Sequence, residues 1–164
     1  MNSGNPAAAD GFVMAADEGR AFWFLNTLTI NKVGSDDSQG RLSISDHRVP
    51  AGFAPPPHVH DTSDEALFVL DGEFDGFCGD RSWRAEPGAL VFLPRAVPHG
   101  YRVSEAGPGR ILVVVSPGGF DQFVAAAGEP ARDLRLPEPV PPDLARLEKL
   151  AAAHGIRILA PPGP

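Results

Sequence analysis

The sequence predicts an all-β domain, an antiparallel barrel or sandwich, followed by two short helices. Glycine and proline, which favour turns, are frequent, with 18 of each among 164 residues. Turn signals recur about every 8–12 residues, a spacing typical of small antiparallel folds. Residues 21–116 show no helical period. Together these features favour a β fold over a helical bundle.

We divide the chain into three predicted regions. Residues 1–20 are rich in small residues without a period and are predicted to form a flexible N-terminal arm. Residues 21–118 contain the β-barrel, and residues 119–164 form a C-terminal helical extension that packs on it. A length of 164 residues is typical of one such unit rather than two.

The first half of the barrel has two long strand signals. Aromatic and β-branched residues predict a strand over 21–30. A polar loop is expected at 34–40, and residues 41–49 begin with the apolar and polar alternation of a half-buried strand. Each proline in the run 55–57 disfavours helix in the residue before it, which keeps this segment extended.

Turn residues divide the second half of the barrel into short strands. One short strand is expected before residues 61–64 and another after them. Asp71-Gly72 predicts a tight hairpin turn, and Gly79-Asp80 predicts another turn. The remaining strands are predicted at residues 73–78, 81–85, 89–93, 99–103 and 110–116.

The last part of the chain changes to helical periodicity. From Phe120, apolar residues recur at i, i+3, i+4 and i+7, which predicts an amphipathic helix that ends at Gly128. After a proline-rich connector, a second helix is predicted from Asp143 to His154, with Gly155 just beyond its end.

Charge and composition exclude several classes of partner. The net charge is −7 and no basic stripe is present, so we expect neither nucleic acid nor an anionic membrane surface as a partner. The longest aliphatic run, Ile111 to Val115, is far shorter than the roughly 20 residues of a membrane span. The first residues do not resemble a signal peptide. With the single Cys78, interpreted as a small buried residue, this predicts a cytoplasmic protein.

Three of the five histidines and one carboxylate form a candidate metal site. His58 and His60 are two positions apart, so on a strand both side chains point to the same face. Glu65 follows after a short turn, and His99 follows a loop bounded by prolines. Three imidazoles and a carboxylate suit a divalent first-row metal. His47 and His154 are interpreted as ordinary structural histidines.

These residues lie in a pattern that resembles the cupin superfamily, in particular the quercetin-dioxygenase-like single-domain cupins of bacteria. The resemblance extends over roughly residues 22–156. Ala96 stands where the second cupin motif usually has glycine, and Val103 where it often has asparagine. The matching positions are Gly52, His58, Val59, His60, Glu65 and Gly72 in the first motif, and Gly88, Pro94 and His99 in the second.

The resemblance implies a jelly-roll type of antiparallel β-barrel with one divalent transition metal per chain. His58, His60, Glu65 and His99 are the implied ligands. The donor set accepts Fe, Mn, Ni, Co, Cu or Zn, so the sequence does not identify the metal.

Strand alternation extends the site into a substrate pocket. If Glu65 faces the interior, Leu67 and Val69 do so as well, and Tyr101 shares the face of His99. Phe120 and Phe123 are expected on a helix near the mouth. We therefore predict that Leu67, Val69, Tyr101, Phe120 and Phe123 bind substrate. Such a pocket favours a flat, mostly apolar small molecule with a few oxygens.

Three functions remain open from the sequence. The leading one is a dioxygenase for an enolic or phenolic substrate of flavonol or polyketide type. In it Glu65 is both ligand and base, and Tyr101 is a candidate donor of a proton or hydrogen bond. The second is a non-redox isomerase, cyclase or decarboxylase that uses the metal as a Lewis acid. The third is a small-molecule binding module. Cysteine dioxygenase chemistry is disfavoured because that group lacks the carboxylate ligand.

A homodimer is also predicted. The aromatic stretch Ala21–Leu25 is an edge that a second copy would cover.

Overall fold

The computed structural model describes residues 11–160. Half of the predicted N-terminal arm and the last four residues of the extension lie outside the described residues. Helix α1 is Phe120–Ala127 and α2 is Leu144–Ala153. The strands β1 to β12, in chain order, are Arg20–Phe24, Thr27–Val33, Ser43–Val49, His58–His60, Asp64–Asp71, Phe74–Cys78, Arg81–Ala85, Leu90–Leu93, His99–Val103, Gly109–Ser116, Glu129–Pro130 and Ile156–Ile158.

The strands form two antiparallel sheets. One has the order β11-β1-β2-β3-β10-β5-β8, and the other has the order β12-β4-β9-β6-β7. Their inner faces meet in an apolar core, in which Phe74 from the smaller sheet and Ile111 from the larger one are almost completely buried. Cys78 is partly buried at the edge of this core. The predicted all-β jelly-roll fold with C-terminal helices is confirmed.

The first predicted strand is a hairpin. The segment 21–30 was expected to be continuous, but the chain reverses at Leu25 and Asn26, so β1 and β2 pair with each other. Both turn residues have positive φ, 49° and 64°. Two-residue hairpin turns of this kind usually contain glycine. The sequence signal was therefore weak, because a leucine occupies the first turn position.

The turn at Asp71-Gly72 lies where it was predicted but does not make a hairpin. β5 pairs with β8 and β10, whereas β6 pairs with β7 and β9 in the other sheet. The turn therefore carries the chain from one sheet to the other. Gly72 has a φ of 81°, and a Cβ there would lie 2.7 Å from the Cα of Gly109. Turn residues predict a reversal of the chain but not which strands it joins.

The C-terminal extension contains the two predicted helices. Asp143 caps α2 by accepting a hydrogen bond from the backbone N–H of Arg146 at 3.0 Å, and Gly155 follows the helix with a φ of 71°. The buried carboxylate of Asp121 in α1 accepts hydrogen bonds from the backbone and hydroxyl of Ser35, which ties α1 to the loop after β2. In the described part of the chain, no helix is long and apolar enough to cross a membrane.

The extension also supplies two strands that were not predicted. β11 pairs with β1, and β12 pairs with β4, where Ile156 lies opposite His60 and Ile158 lies opposite His58. Strands of two or three residues are too short to show a period. The edge Ala21–Leu25, expected to meet a second copy, is thus partly covered by the same chain. The homodimer stays a prediction.

Candidate metal centre and adjoining cavity

The four predicted ligand residues lie together inside the barrel. One side-chain donor atom from each of His58, His60, Glu65 and His99 falls within a group whose members are all within 4.8 Å of one another. His58 is partly exposed and the other three are buried. The alternation of β4 places both of its histidines on one face, while Val59 between them points away into the protein.

The cluster joins the two sheets. His58 on β4 and His99 on β9 are direct cross-strand partners, and their ring centroids are 4.5 Å apart. Glu65 comes from β5 in the opposite sheet, and its Oε2 lies 3.2 Å from the Nε2 of His99. The three imidazoles are therefore held by one sheet and the carboxylate by the other.

Backbone carbonyls fix the orientation of two imidazoles. The Nδ1–H of His58 donates to the carbonyl of Pro56 at 2.9 Å, and the Nδ1–H of His99 donates to the carbonyl of Val97 at 3.0 Å. A carbonyl can only accept, so in each neutral ring the proton is on Nδ1 and Nε2 carries a lone pair. This arrangement is common around metal-bound histidines.

The donor atoms are close enough together to share one cation. The Nε2 atoms of His58 and His99 are only 3.2 Å apart. The Nε2 of His60 is buried without a hydrogen-bond partner among the described residues and lies 3.8 Å from the Oε2 of Glu65. Burial lowers the pKa of His58 to about 4, so this ring is neutral near pH 7. A divalent cation would satisfy all four groups at once, so the cluster fits a metal ion.

Glu65 is ionised in this setting. Burial by itself raises its pKa, but the hydrogen bond with His99 and the positive charge that the surrounding imidazoles carry when protonated lower the pKa to about 2. The carboxylate is therefore a charged ligand at neutral pH.

An apolar cavity adjoins the cluster. The cavity is open to solvent at its mouth, and it reaches the cluster at His58 and Glu65. Its wall contains aromatic and aliphatic residues from both sheets and both helices, and no lysine or arginine among residues 11–160 lines it. Four of the predicted substrate-binding residues line it, namely Leu67, Tyr101, Phe120 and Phe123.

Val69 does not line the cavity. It points inward as the alternation of β5 requires, but it is only 1% exposed and packs within the main core. Alternation predicts which face a side chain joins and does not predict how far the cavity extends along the strand. The depth of the pocket is therefore a property of the packing.

Tyr101 brings a neutral phenol to the cavity. It lies on β9 opposite Gly76, and its ring packs against Phe53 and Phe74 with centroid distances of 6.3 and 5.8 Å. Burial, together with the Glu65 carboxylate, raises the pKa of Tyr101 well above its ordinary value. The hydroxyl therefore stays protonated and can donate a hydrogen bond.

Sequence reasoning missed part of the wall. His47, interpreted as an ordinary structural residue, is buried on β3 and lines the cavity, as do Ile156 and Ile158 of β12. For His47 a signal existed, because it alternates with the small polar residues Ser43 and Ser45 on the inner face. For β12 the sequence contains none.

The loop before His99 contains the departure from the family motif. Ala96 has a φ of 62°, the left-handed conformation that glycine adopts most easily, and its N–H donates to the carbonyl of His60 at 2.8 Å. The loop is held by a bidentate ion pair between Arg95 and Asp64. The other departure, Val103, is fully buried in the core. Both departures are compatible with the fold.

Comparison with known proteins agrees with this fold and site. The model of the cupin domain family matches residues 46–115, which contain all four candidate ligands. This segment of the chain therefore matches a cupin domain.

One relative with a described activity is quercetin 2,3-dioxygenase from Bacillus subtilis strain 168. It is 22% identical over 125 residues, which cover 76% of this chain and 37% of that enzyme. The chain thus matches little more than a third of the enzyme's length.

Several solved structures share the fold. KdgF from Halomonas sp. has a TM-score of 0.60 at 18% identity, covering 69% of this chain and 99% of that one. A predicted oxalate decarboxylase from Thermotoga maritima has a TM-score of 0.57 at 15% identity, covering 64% and 98%. The polyketide cyclase RemF from Streptomyces resistomycificus has a TM-score of 0.50 at 24% identity, covering 79% and 83%. These likenesses support the fold alone.

Proposed function

We propose that this cupin is a metal-dependent dioxygenase that acts on a small planar enol or phenol. One observation carries the proposal. The four residues suited to a metal ion adjoin an apolar cavity at His58 and Glu65, and among the described residues no lysine or arginine lines this cavity. The similarity to a quercetin dioxygenase is in keeping with this reaction class.

A divalent ion held by His58, His60, Glu65 and His99 would supply a Lewis acid and, for a redox-active metal, electron transfer. The Glu65 carboxylate faces the cavity and is ionised, so it can accept the proton of a substrate hydroxyl that a bound metal ion would make more acidic. That step breaks the substrate O–H bond, forms the carboxylic acid and leaves a substrate oxyanion. Tyr101, a neutral phenol in the same wall, can donate a hydrogen bond to that oxygen.

The wall of the cavity supports a planar, uncharged substrate. Phe53, Phe120 and Phe123 line the cavity and offer apolar ring surfaces to a planar ligand. A substrate with several carboxylates would bury negative charge without a cationic side chain to pair with it, which is unfavourable. The cavity therefore favours flavonol-like or polyketide-like molecules over small diacids.

A non-redox reaction is the alternative, because the same donor set also accepts zinc. With zinc, Glu65 and Tyr101 would move the same protons in an isomerisation or cyclisation through an enolate. The identity of the bound metal separates the two proposals.

The test is metal analysis by mass spectrometry of untagged protein, followed by oxygen uptake with quercetin and other enolisable aromatics. One equivalent of a redox-active metal and substrate-dependent oxygen uptake would support the dioxygenase. Stoichiometric zinc with no oxygen uptake would favour the alternative. A protein that binds no metal after reconstitution would contradict both and favour a binding module.

A further inference from the structure

His47 is one of a few polar residues in a mostly apolar wall. It lies on β3, is only 5% exposed, and is not one of the four candidate metal ligands. Apart from those ligands, the cavity wall contains polar side-chain groups at Thr27, His47 and Tyr101 among the described residues. The hydroxyl of Thr27 already donates to the carbonyl of Phe24 at 2.6 Å. His47 and Tyr101 are therefore the groups available to a ligand.

The His47 ring is held in place from two sides. Its Nε2 lies 2.9 Å from the hydroxyl of Ser45, which is itself buried. Its face stacks on Phe120, with centroids 5.9 Å apart and an interplanar angle of 19°. The other ring nitrogen, Nδ1, has no hydrogen-bond partner within residues 11–160. One nitrogen is thus occupied by the protein, and the other is not engaged by any described residue.

Phe120 connects His47 to the candidate metal centre. Its ring centroid is 5.9 Å from that of His47 and also 5.9 Å from that of His60. A planar molecule that binds the centre with one oxygenated edge and lies along Phe120 would extend towards His47. His47 would then lie near the end of the ligand that is farther from the candidate metal centre.

We propose that His47 determines substrate specificity by hydrogen bonding, through Nδ1, an oxygen of the substrate that does not bind the metal centre. This inference rests on the proposed function. The Ser45 hydroxyl can donate to Nε2 or accept from it, so it is a positioning residue that lets Nδ1 donate to a carbonyl or accept from a hydroxyl. The substrate class is therefore a planar molecule that carries oxygen at both ends, such as a polyhydroxylated aromatic.

The test compares two flavonols with the metal-loaded protein under anaerobic conditions. Quercetin and 3-hydroxyflavone share the hydroxy-ketone edge that binds metals, but only quercetin carries hydroxyls elsewhere. We expect wild-type protein to bind quercetin about tenfold more tightly, the usual effect of one hydrogen bond in a buried site. His47→Phe should abolish this difference in affinity between the two flavonols.

His47→Asn is the matched variant, since its amide keeps a polar atom near the position of Nδ1 and should restore part of the preference for quercetin. Metal content, measured by mass spectrometry, should be equal in all three proteins. Equal binding of both flavonols by the wild type, or an equal loss for both in His47→Phe, would overturn the inference and leave the proposed function intact. Loss of metal in both variants would also overturn it. Failure of the wild type to bind either flavonol would overturn the proposed function together with the inference.

Discussion

The Nε2 atoms of His58 and His99 are 3.2 Å apart. The Nδ1–H of each ring donates to a backbone carbonyl, which leaves both Nε2 atoms available to a metal ion. Replacing either ring removes one of the four donors, so His58→Ala and His99→Ala should each lower the affinity for metal at least tenfold. Mass spectrometry after dialysis against a fixed concentration of free metal would measure this.

His154→Ala is the matched control for both variants, because that imidazole bonds the carbonyl of Leu150 and lies outside the cluster. It should keep the metal content of the wild type. Unchanged metal content in both His58→Ala and His99→Ala would rule out the centre.

Glu65 is assigned two roles, and one substitution separates them. Glu65→Gln keeps an oxygen that can approach a metal ion but cannot accept a proton at neutral pH. Turnover should fall about 10²–10⁴-fold, the usual contribution of a general base, while metal content falls much less. Oxygen uptake and metal analysis of the same sample would test this. Equal losses of turnover and metal would leave Glu65 a ligand only.

Ala96 adopts the left-handed conformation in the loop that leads to His99. Alanine is strained there by about 1–2 kcal/mol, whereas glycine loses about 0.4–1 kcal/mol through the greater freedom of the unfolded chain. The first effect is larger, so Ala96→Gly should raise the melting temperature by about 2 °C. Calorimetry would measure it. Ala106→Gly, in an exposed loop without positive φ, should show no gain. A lower melting temperature for Ala96→Gly would refute the argument.

At the scale of elements, β12 contacts both the candidate metal centre's strand β4 and the cavity. It pairs with β4, the strand that carries His58 and His60, and Ile156 and Ile158 line the cavity. Without it the backbone of β4 has an open edge on that side. Truncation after Gly155 should therefore lower both the melting temperature and the affinity for metal.

Truncation after Ala160 is the matched control, because it keeps β12 and its pairing with β4. This shorter deletion should leave both quantities unchanged. If the two truncated proteins hold metal equally well, β12 does not support the centre.

Helix α1 lies in the C-terminal extension but contacts the barrel closely. Asp121 fixes it to the loop after β2, while Phe120 and Phe123 turn towards the cavity. Phe123 also packs against Phe24 of β1, with ring centroids 5.4 Å apart. The aromatic wall is thus positioned by polar anchoring on one side and by apolar packing on the other.

At the scale of the whole molecule, the candidate centre ties the two sheets together. A metal ion bound there stabilises only the folded state, by about 4 kcal/mol when the free metal is a thousandfold above its Kd. For a domain of this size that corresponds to a rise in melting temperature of about 10 °C. Calorimetry of metal-loaded and chelator-treated protein would show it. Equal melting temperatures would mean that the four residues do not share an ion.

The sequence was sufficient to predict the fold class, nearly all turn positions and the four candidate ligands. It was sufficient because these features are local or follow a motif. His58 and His60 share a face by strand alternation, and the spacing of the two cupin motifs identifies Glu65 and His99 as the other two candidate ligands. The two helices were predictable for the same reason, since their apolar faces and the Asp143 cap are local.

Only the tertiary structure decided which strands pair and where the cavity ends. Asp71-Gly72 looked like a hairpin turn but joins two sheets, because its flanking strands find partners far away in the chain. Val69 shares the inward face of Leu67 yet is buried in the core. His47 lines the cavity, whereas its alternation with Ser43 and Ser45 predicts only the face of β3 on which it lies. Alternation sets the direction of a side chain, but its neighbours come from distant segments, and those contacts exist only once the sheets have packed.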